Sequence, residues 1–187
     1  MSHILAVAFV LQLHNLAGVP PATVDTAASE LSRVYDRLGV HLEWDRAAAA
    51  HVPDREIVRV ILLARETGDL RRMPDTVMGA AVRTVNDARI VYVFYQRVRV
   101  EAERYGASPA LVLACAMAHE LGHLLMPERG HSATGLMRAC WSREDFQRAN
   151  QGQLHFSRDQ AALIRERMLG PFLEPPVEQE RGDRARQ

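Results

Sequence analysis

The chain has no lysine, two cysteines and no long uninterrupted apolar run in its 187 residues. Arginine alone supplies the 23 basic side chains, which balance 23 acidic ones, so the formal net charge is zero. A neutral chain has no basic field that would attract nucleic acid or an anionic membrane surface. We therefore expect no nucleic-acid partner.

The two cysteines, Cys115 and Cys140, are too few to build a framework of disulfide bonds. Each is most simply a small buried apolar residue. A single bridge between them is the alternative, because both flank the same histidine-rich segment.

The N-terminal segment MSHILAVAFVLQLHNLAGVPPA has some features of an export signal. It lacks a basic start, however, and Gln12 and His14 interrupt its apolar run early. The run is also too short to span a bilayer. We interpret residues 6–16 as a buried strand, which predicts no stable membrane insertion. The compartment stays open between the cytoplasm and export of a soluble protein.

A hydrophobic fraction of 48% over this length is sufficient for one well-packed core. We expect residues 1–169 to form a single domain. Residues 170–187 are Pro-rich and charged, and we expect a disordered tail there. The sequence does not indicate the oligomeric state.

Hydrophobic periodicity predicts the element order β-α-β-β-β-β-α, then a loop and further helix. The predicted strands are residues 6–16, 40–44, 56–64, 77–85 and 88–98. The predicted helices begin at Pro21, at Pro109 after an N-cap at Ser108, near Ser142, and after Ser157.

This order predicts an α/β (α+β) fold, with a twisted mixed sheet of about four to five strands. The histidine-bearing helix should cross the sheet, and further helices should follow it. Glycine and alanine residues in 77–85 favour an edge strand. The arginine-rich segment YQRVRVEAERYG is predicted to be solvated rather than to bind nucleic acid.

The segment AMAHELGHLLMPERGHSATGLM contains the strongest functional signal of the chain. His119 and His123 are four residues apart on a predicted helix, so they lie about 40° apart around its axis and can reach one metal ion. Glu120 projects to one side, where it can take a proton from a metal-held water. Random placement gives roughly 0.02 such matches in this composition. The alternative is that two histidines and a carboxylate lie in the core without a function. Burial of such polar groups without hydrogen-bond partners would destabilise the fold by a few kcal/mol.

A hydrolytic zinc ion takes three protein ligands and leaves one position open to water. His131 is the nearest candidate for the third ligand, because Pro127 stops the helix and Gly130 lets the chain fold back. Glu144, on a following helix, is the alternative. Five other histidines have no motif partner and are predicted to be structural or at the surface: His3, His14, His41, His51 and His155.

The segment HELGHLLMPERGHSATGLM resembles the metzincin metalloproteases, and the matrixin-like members most closely. Those proteins carry H-E-x-x-H-x-x-G-x-x-H-S followed by a methionine turn. The resemblance implies a metzincin-like catalytic domain with one catalytic Zn²⁺. It implies the following roles: His119, His123 and His131 as zinc ligands, Glu120 as general base, and Met137 as the Met-turn residue.

The sequence departs from the family pattern in the loop after the second histidine. Met126 occupies the position of the family glycine, and Arg129 occupies that of the third histidine. The third histidine is displaced by two residues, so the resemblance implies a longer loop that turns at Pro127 and Gly130.

We therefore predict a zinc-dependent metalloendopeptidase that hydrolyses peptide bonds through a zinc-bound water activated by Glu120. Its partner would be a peptide or protein substrate that lies extended along the edge strand 77–85. The alternative is a zinc-binding, catalytically inactive metzincin-like binding protein. Both hypotheses predict bound zinc, so activity separates them. A metal-free globular domain is the third hypothesis.

Overall fold

A computed structural model describes residues 7–45, 57–126 and 130–173 of the protein. These residues form five β-strands, five α-helices and a 3-10 turn at Gly68–Arg72. The strands are β1 Val7–Asn15, β2 His41–Asp45, β3 Ile57–Leu63, β4 Gly79–Arg83 and β5 Arg89–Phe94. The helices are α1 Pro21–Asp36, α2 Tyr95–Tyr105, α3 Pro109–Leu125, α4 Arg143–Asn150 and α5 Arg158–Leu173. The predicted α/β (α+β) class is confirmed.

The five strands form one mixed sheet in the order β2-β1-β3-β5-β4. Strands β2, β1, β3 and β5 are parallel, and β4 pairs antiparallel with β5. Alternate residues of β3, namely Val58, Val60 and Leu62, are fully buried, as expected for a strand with one face on the core. The prediction that 77–85 contains an edge strand is confirmed by β4.

Helices α1 and α3 pack against each other, and α3 also packs on β4 and β5. Nearly every residue of α3 is buried, which fits its composition of alanine, leucine and valine. The hydroxyl of the fully buried Tyr35 on α1 donates a hydrogen bond of 3.1 Å to the carbonyl oxygen of Ala118 on α3. This packing fixes α3, and the two histidines on it, relative to the sheet.

The prediction for residues 88–98 was wrong at its C-terminal end. The strand stops at Phe94 and helix α2 begins at Tyr95, so YQRVRVEAERYG is largely helical. Its charged residues Arg99, Glu103 and Arg104 are exposed, in agreement with the predicted solvated segment. Val98 and Ala102 are fully buried one helical turn apart, and Gly106 ends the helix with φ 66°. The β-branched valines produced the strand signal, but the four-residue spacing of buried positions prevails.

Several sequence predictions fall partly outside the described residues: the strand starts before Val7 and at residue 56, the turn at Pro127, and the tail beyond Leu173. Residues 170–173, which were predicted to begin the disordered tail, are instead the last residues of α5. Within the described part of the chain, none of the helices has the length and apolar character that a membrane crossing needs.

Candidate metal centre

The structure brings His119, His123 and His131 together at one end of a cleft. One ligand nitrogen from each lies within 4.8 Å of the others. The Nε2 atoms of His119 and His123 are 3.1 Å apart, and the ring centroid of His131 lies 5.2 Å from that of His119 and 4.9 Å from that of His123. Two histidine nitrogens bound tetrahedrally to zinc are about 3.3 Å apart. The three rings therefore have a spacing that suits one metal ion.

The tautomer of His119 is set by the carbonyl of Leu136. The Nδ1 atom lies 2.7 Å from the Leu136 oxygen, which can only accept, so Nδ1 carries the proton and Nε2 keeps its lone pair. Burial lowers the pKa of His119 to about 4 and also lowers that of His123, and nearby His131 adds to both shifts. Neutral imidazoles with a second nitrogen bonded to a carbonyl are the usual form of metal-ligating histidine.

A hydrogen bond from His123 Nε2 to His119 Nε2 would also account for the contact between those two rings. It gives no reason for the third imidazole, His131, to converge on the same point from a loop. The convergence of three imidazoles therefore suits a metal ion better than a histidine pair that is bonded only to itself.

Glu120 lies beside the histidine group but is not part of it. Its side chain is nearly buried against β4, where burial raises its pKa to about 8 and a hydrogen bond from the backbone N–H of Ala81 opposes the rise. A Cβ atom added to Gly79 would lie 2.7 Å from Cγ and 2.9 Å from Oε1 of Glu120. Only glycine therefore leaves room for this carboxylate under the edge strand.

Met137 is fully buried directly beneath the histidine helix. A Cβ atom added to Gly122, the glycine of HELGH, would lie 2.6 Å from Met137 Sδ and 3.0 Å from Phe156 Cε1. The turn that carries Met137 depends on Gly135, which has φ 77° and whose added Cβ would lie 2.8 Å from the carbonyl oxygen of His155.

The same turn holds two of the three histidines through its backbone. The Leu136 carbonyl accepts from His119, and the Met137 carbonyl accepts a 2.8 Å hydrogen bond from the N–H of Ser132, which follows His131. The turn around the buried Met137 thus positions one imidazole of the helix and one of the loop.

The predicted turn at Pro127 and Gly130 stays a prediction, because residues 127–129 lie outside the described residues. The φ angle of Gly130 is not in the left-handed region, and an added Cβ would meet no atom within 4 Å. Helix α3 ends at Leu125, two residues before Pro127, which lies outside the described residues. Gly135 is the glycine that the following turn requires, because its positive φ and its close approach to the His155 carbonyl leave no room for a side chain.

A cleft of about 370 Å³ runs past the three histidines and Glu120. The 73–81 segment forms one wall and residues 138–141 form the other, with Ala116 of α3 between them. The indole N–H of Trp141 donates to the Leu136 carbonyl at 3.2 Å, so this wall is attached to the methionine turn. The cleft is a concave, mostly apolar site with a few convergent polar groups, as ligand sites commonly are.

The cysteine predictions have a mixed outcome. Cys115 is buried as predicted, and burial raises the pKa of its thiol to about 12. Cys140 is exposed on the cleft wall, so the prediction that it is buried was wrong. Both thiols are free, which excludes the alternative of a bridge between them in this structure.

The structure does not bring Glu144 to the histidine group. Its side chain is 70% exposed on α4 and accepts a 2.7 Å hydrogen bond from Arg148. The other described histidines lie elsewhere: His14 on β1 with a buried Nε2 that has no partner, His41 beside Asp36, and His155 beside Arg37. His3 and His51 lie outside the described residues.

Sequence reasoning missed the residues that support the site. The Leu136 carbonyl carries no local signal, since its partner His119 is distant in the chain. Gly79 carried a signal, because glycine in a strand indicates a close approach, but the sequence did not identify Glu120 as the neighbour. No protein-family model matches this chain, and a search of curated proteins finds no match either.

Proposed function

We propose that this protein is a metalloendopeptidase with a metzincin-like fold and one catalytic zinc ion. Its ligands would be the imidazoles of His119, His123 and His131, which suit zinc in type and number. The observation that carries the proposal is the convergence of three imidazoles beside a buried carboxylate, Glu120, in an open cleft.

When bound, zinc would lower the pKa of a coordinated water towards 7 and polarise the scissile carbonyl. Glu120 is placed to take a proton at its carboxylate and to return it to the leaving amine. The burial of Glu120 raises its pKa, so the carboxyl group keeps the proton until it passes it to the leaving amine. A zinc ion nearby would favour the ionised carboxylate, which is the form that takes the proton from water.

Strand β4 would hold the substrate. It is the edge of the sheet beside the metal centre, and it contributes Gly79 and Ala81 to the cleft. An extended peptide can add to such an edge through main-chain hydrogen bonds, with alternate side chains directed into the cleft. Antiparallel pairing would carry its backbone past Glu120 and the three imidazoles.

A zinc-binding protein without activity is the competing function. It would need the three histidines but would gain nothing from Glu120, a carboxylate whose ionised form is costly to bury. The presence of this carboxylate next to the ligands favours the enzyme.

Peptide cleavage by zinc-loaded wild type tests the proposal, with Glu120→Gln and the exposed Glu144→Gln as matched variants. We expect wild type and Glu144→Gln to cleave a peptide library and to stop when zinc is chelated. Glu120→Gln should keep its zinc and lose activity by about 10²-fold or more, because it cannot take the proton. Wild type that binds zinc and cleaves nothing would establish the binding protein instead.

A further inference from the structure

The rim of the cleft is an irregular segment that leads directly into the edge strand. Met73, Pro74 and Val77 belong to this rim, and each lines the cleft. A turn closed by a 3.0 Å hydrogen bond from the N–H of Val77 to the carbonyl of Pro74 is its local structure. Such a segment needs further contacts to keep one shape, because little of its backbone is paired internally.

One guanidinium supplies these contacts. The Nη1 atom of Arg97 donates hydrogen bonds of 2.6 Å to the Pro74 carbonyl and 2.7 Å to the Val77 carbonyl. Its Nη2 atom donates to the Met73 carbonyl at 3.3 Å. Arg97 thus binds three carbonyl oxygens of one loop, much as a bound cation would.

Two carboxylates and an aromatic ring surround the same guanidinium. Nη2 donates to Glu66 Oε1 at 2.8 Å and lies 3.5 Å from Asp75 Oδ1, while Cζ lies 5.3 Å from the centroid of Phe94. The pKa of Glu66 is lowered by its own backbone N–H and then by Arg97. Arg97 itself is 9% exposed, so its charge is balanced in a largely buried position.

Helix α2 makes Arg97 a rigid anchor. The next residue, Val98, and Ala102 one turn later are fully buried in the core. The N–H of Phe94 also donates a 2.8 Å hydrogen bond to the carbonyl of Met78, which extends the pairing of β5 with the strand that follows the rim. Packing of α2 in the core and the bond between Phe94 and Met78 therefore fix the position of the rim and of the edge strand that follows it.

We propose that Arg97 is a positioning residue for substrate. It holds the 73–78 rim so that the backbone of the edge strand β4 can pair with a peptide beside the metal centre. The inference rests on the proposed function, since it assigns the rim to peptide binding. Arg97 is not among the histidine contacts, so it should affect substrate binding and leave the metal in place.

The test compares Arg97→Ala and Arg97→Lys with Arg104→Ala, which removes an exposed arginine of the same helix that pairs with Glu101. We expect both Arg97 variants to keep one zinc per chain. Their KM for a long peptide should rise by about tenfold or more, with kcat within about threefold, because lysine cannot span three carbonyls and a carboxylate. Arg104→Ala should behave as wild type.

Amide hydrogen exchange supplies a readout that does not depend on activity. We expect faster exchange in residues 73–81 of the Arg97 variants and unchanged exchange in α3. If Arg97→Ala does not fold, Glu66→Gln decides the matter, since it removes one partner of the guanidinium and should shift KM and exchange in the same direction by less.

An Arg97→Lys variant with the KM and the exchange of Arg104→Ala would overturn the assignment. Loss of zinc together with kcat would also overturn it, because the role would then be structural support of the whole centre. If wild type cleaves no peptide, the proposed function fails, and exchange alone decides: faster exchange confined to 73–81 supports the anchor, and unchanged exchange overturns it.

Discussion

The candidate metal centre has two halves that are held in different ways. His119, Glu120 and His123 lie on one buried helix, and the core around α3 fixes them. His131 lies on an exposed segment whose position depends on the turn around Met137. The helical half needs only a four-residue spacing and a buried helix, whereas the loop half needs contacts between residues distant in the chain. We therefore expect the two halves to respond differently to metal removal and to mutation.

Removal of zinc should give the largest effect and should separate the two halves. Zinc at about a thousandfold above its Kd would stabilise the fold by about 4 kcal/mol. We expect chelation to lower Tm and to speed amide exchange in residues 131–138, while exchange within α3 stays slow because its contacts are with the core. Equal loosening of α3 would contradict the division into two halves.

Two glycines of the loop half provide a matched pair. Gly135→Ala should destabilise the protein by about 1–3 kcal/mol, because φ 77° and the 2.8 Å approach to the His155 carbonyl exclude a side chain. Gly130→Ala should be neutral or stabilising by up to about 1 kcal/mol, since its Cβ would point into open space. Urea unfolding with a constant m-value measures both. Equal costs at the two positions would show that the turn is not the anchor of the loop.

Asp145 should give the smallest effect. It caps α4 through Ser142 and accepts a 2.8 Å hydrogen bond from Arg138, the residue after Met137. Asp145→Asn should cost about 0.5–2 kcal/mol at neutral pH. The exposed Glu144→Gln is the control and should cost nothing measurable.

The cost of Asp145→Asn should depend on pH in a defined direction. Burial by itself raises the pKa of Asp145, but hydrogen bonds from Ser142 and the Arg138 guanidinium together hold that pKa below its ordinary value of 3.8. Ionised Asp145 therefore makes its full contribution to the free energy of unfolding above pH 3.8. That contribution is lost as the pH falls through the lower pKa of Asp145 in the folded protein. Stability curves of wild type and Asp145→Asn should converge below about pH 4, and a constant gap there would refute the cause given.

Sequence patterns predicted what local periodicity determines. The strand cores and the pairing of His119 with His123 follow from spacings of two or four residues. The start of α3 at Pro109 follows from the Ser108-Pro109 pair, which is typical of a helix N-terminus. The start of α2 was missed because valines favour strands, whereas the buried positions, Val98 and Ala102, are four residues apart as in a helix.

Long-range contacts explain what the sequence did not predict. Nothing in the sequence near His131 pointed to Gly135, because the close contact of Gly135 is with the carbonyl oxygen of His155, 20 residues away. The exposure of Cys140 likewise depends on which wall of the cleft it occupies. No sequence window around either residue contains that information.

The central claim is that the loop supplies the third ligand, and zinc affinity across three proteins tests it most directly. We expect wild type and Glu144→Ala to bind one zinc ion per chain with equal affinity. His131→Ala should bind it more than about 100-fold less tightly, because it removes a ligand and not merely a supporting group. Unchanged affinity in His131→Ala, with a loss in Glu144→Ala, would contradict the account.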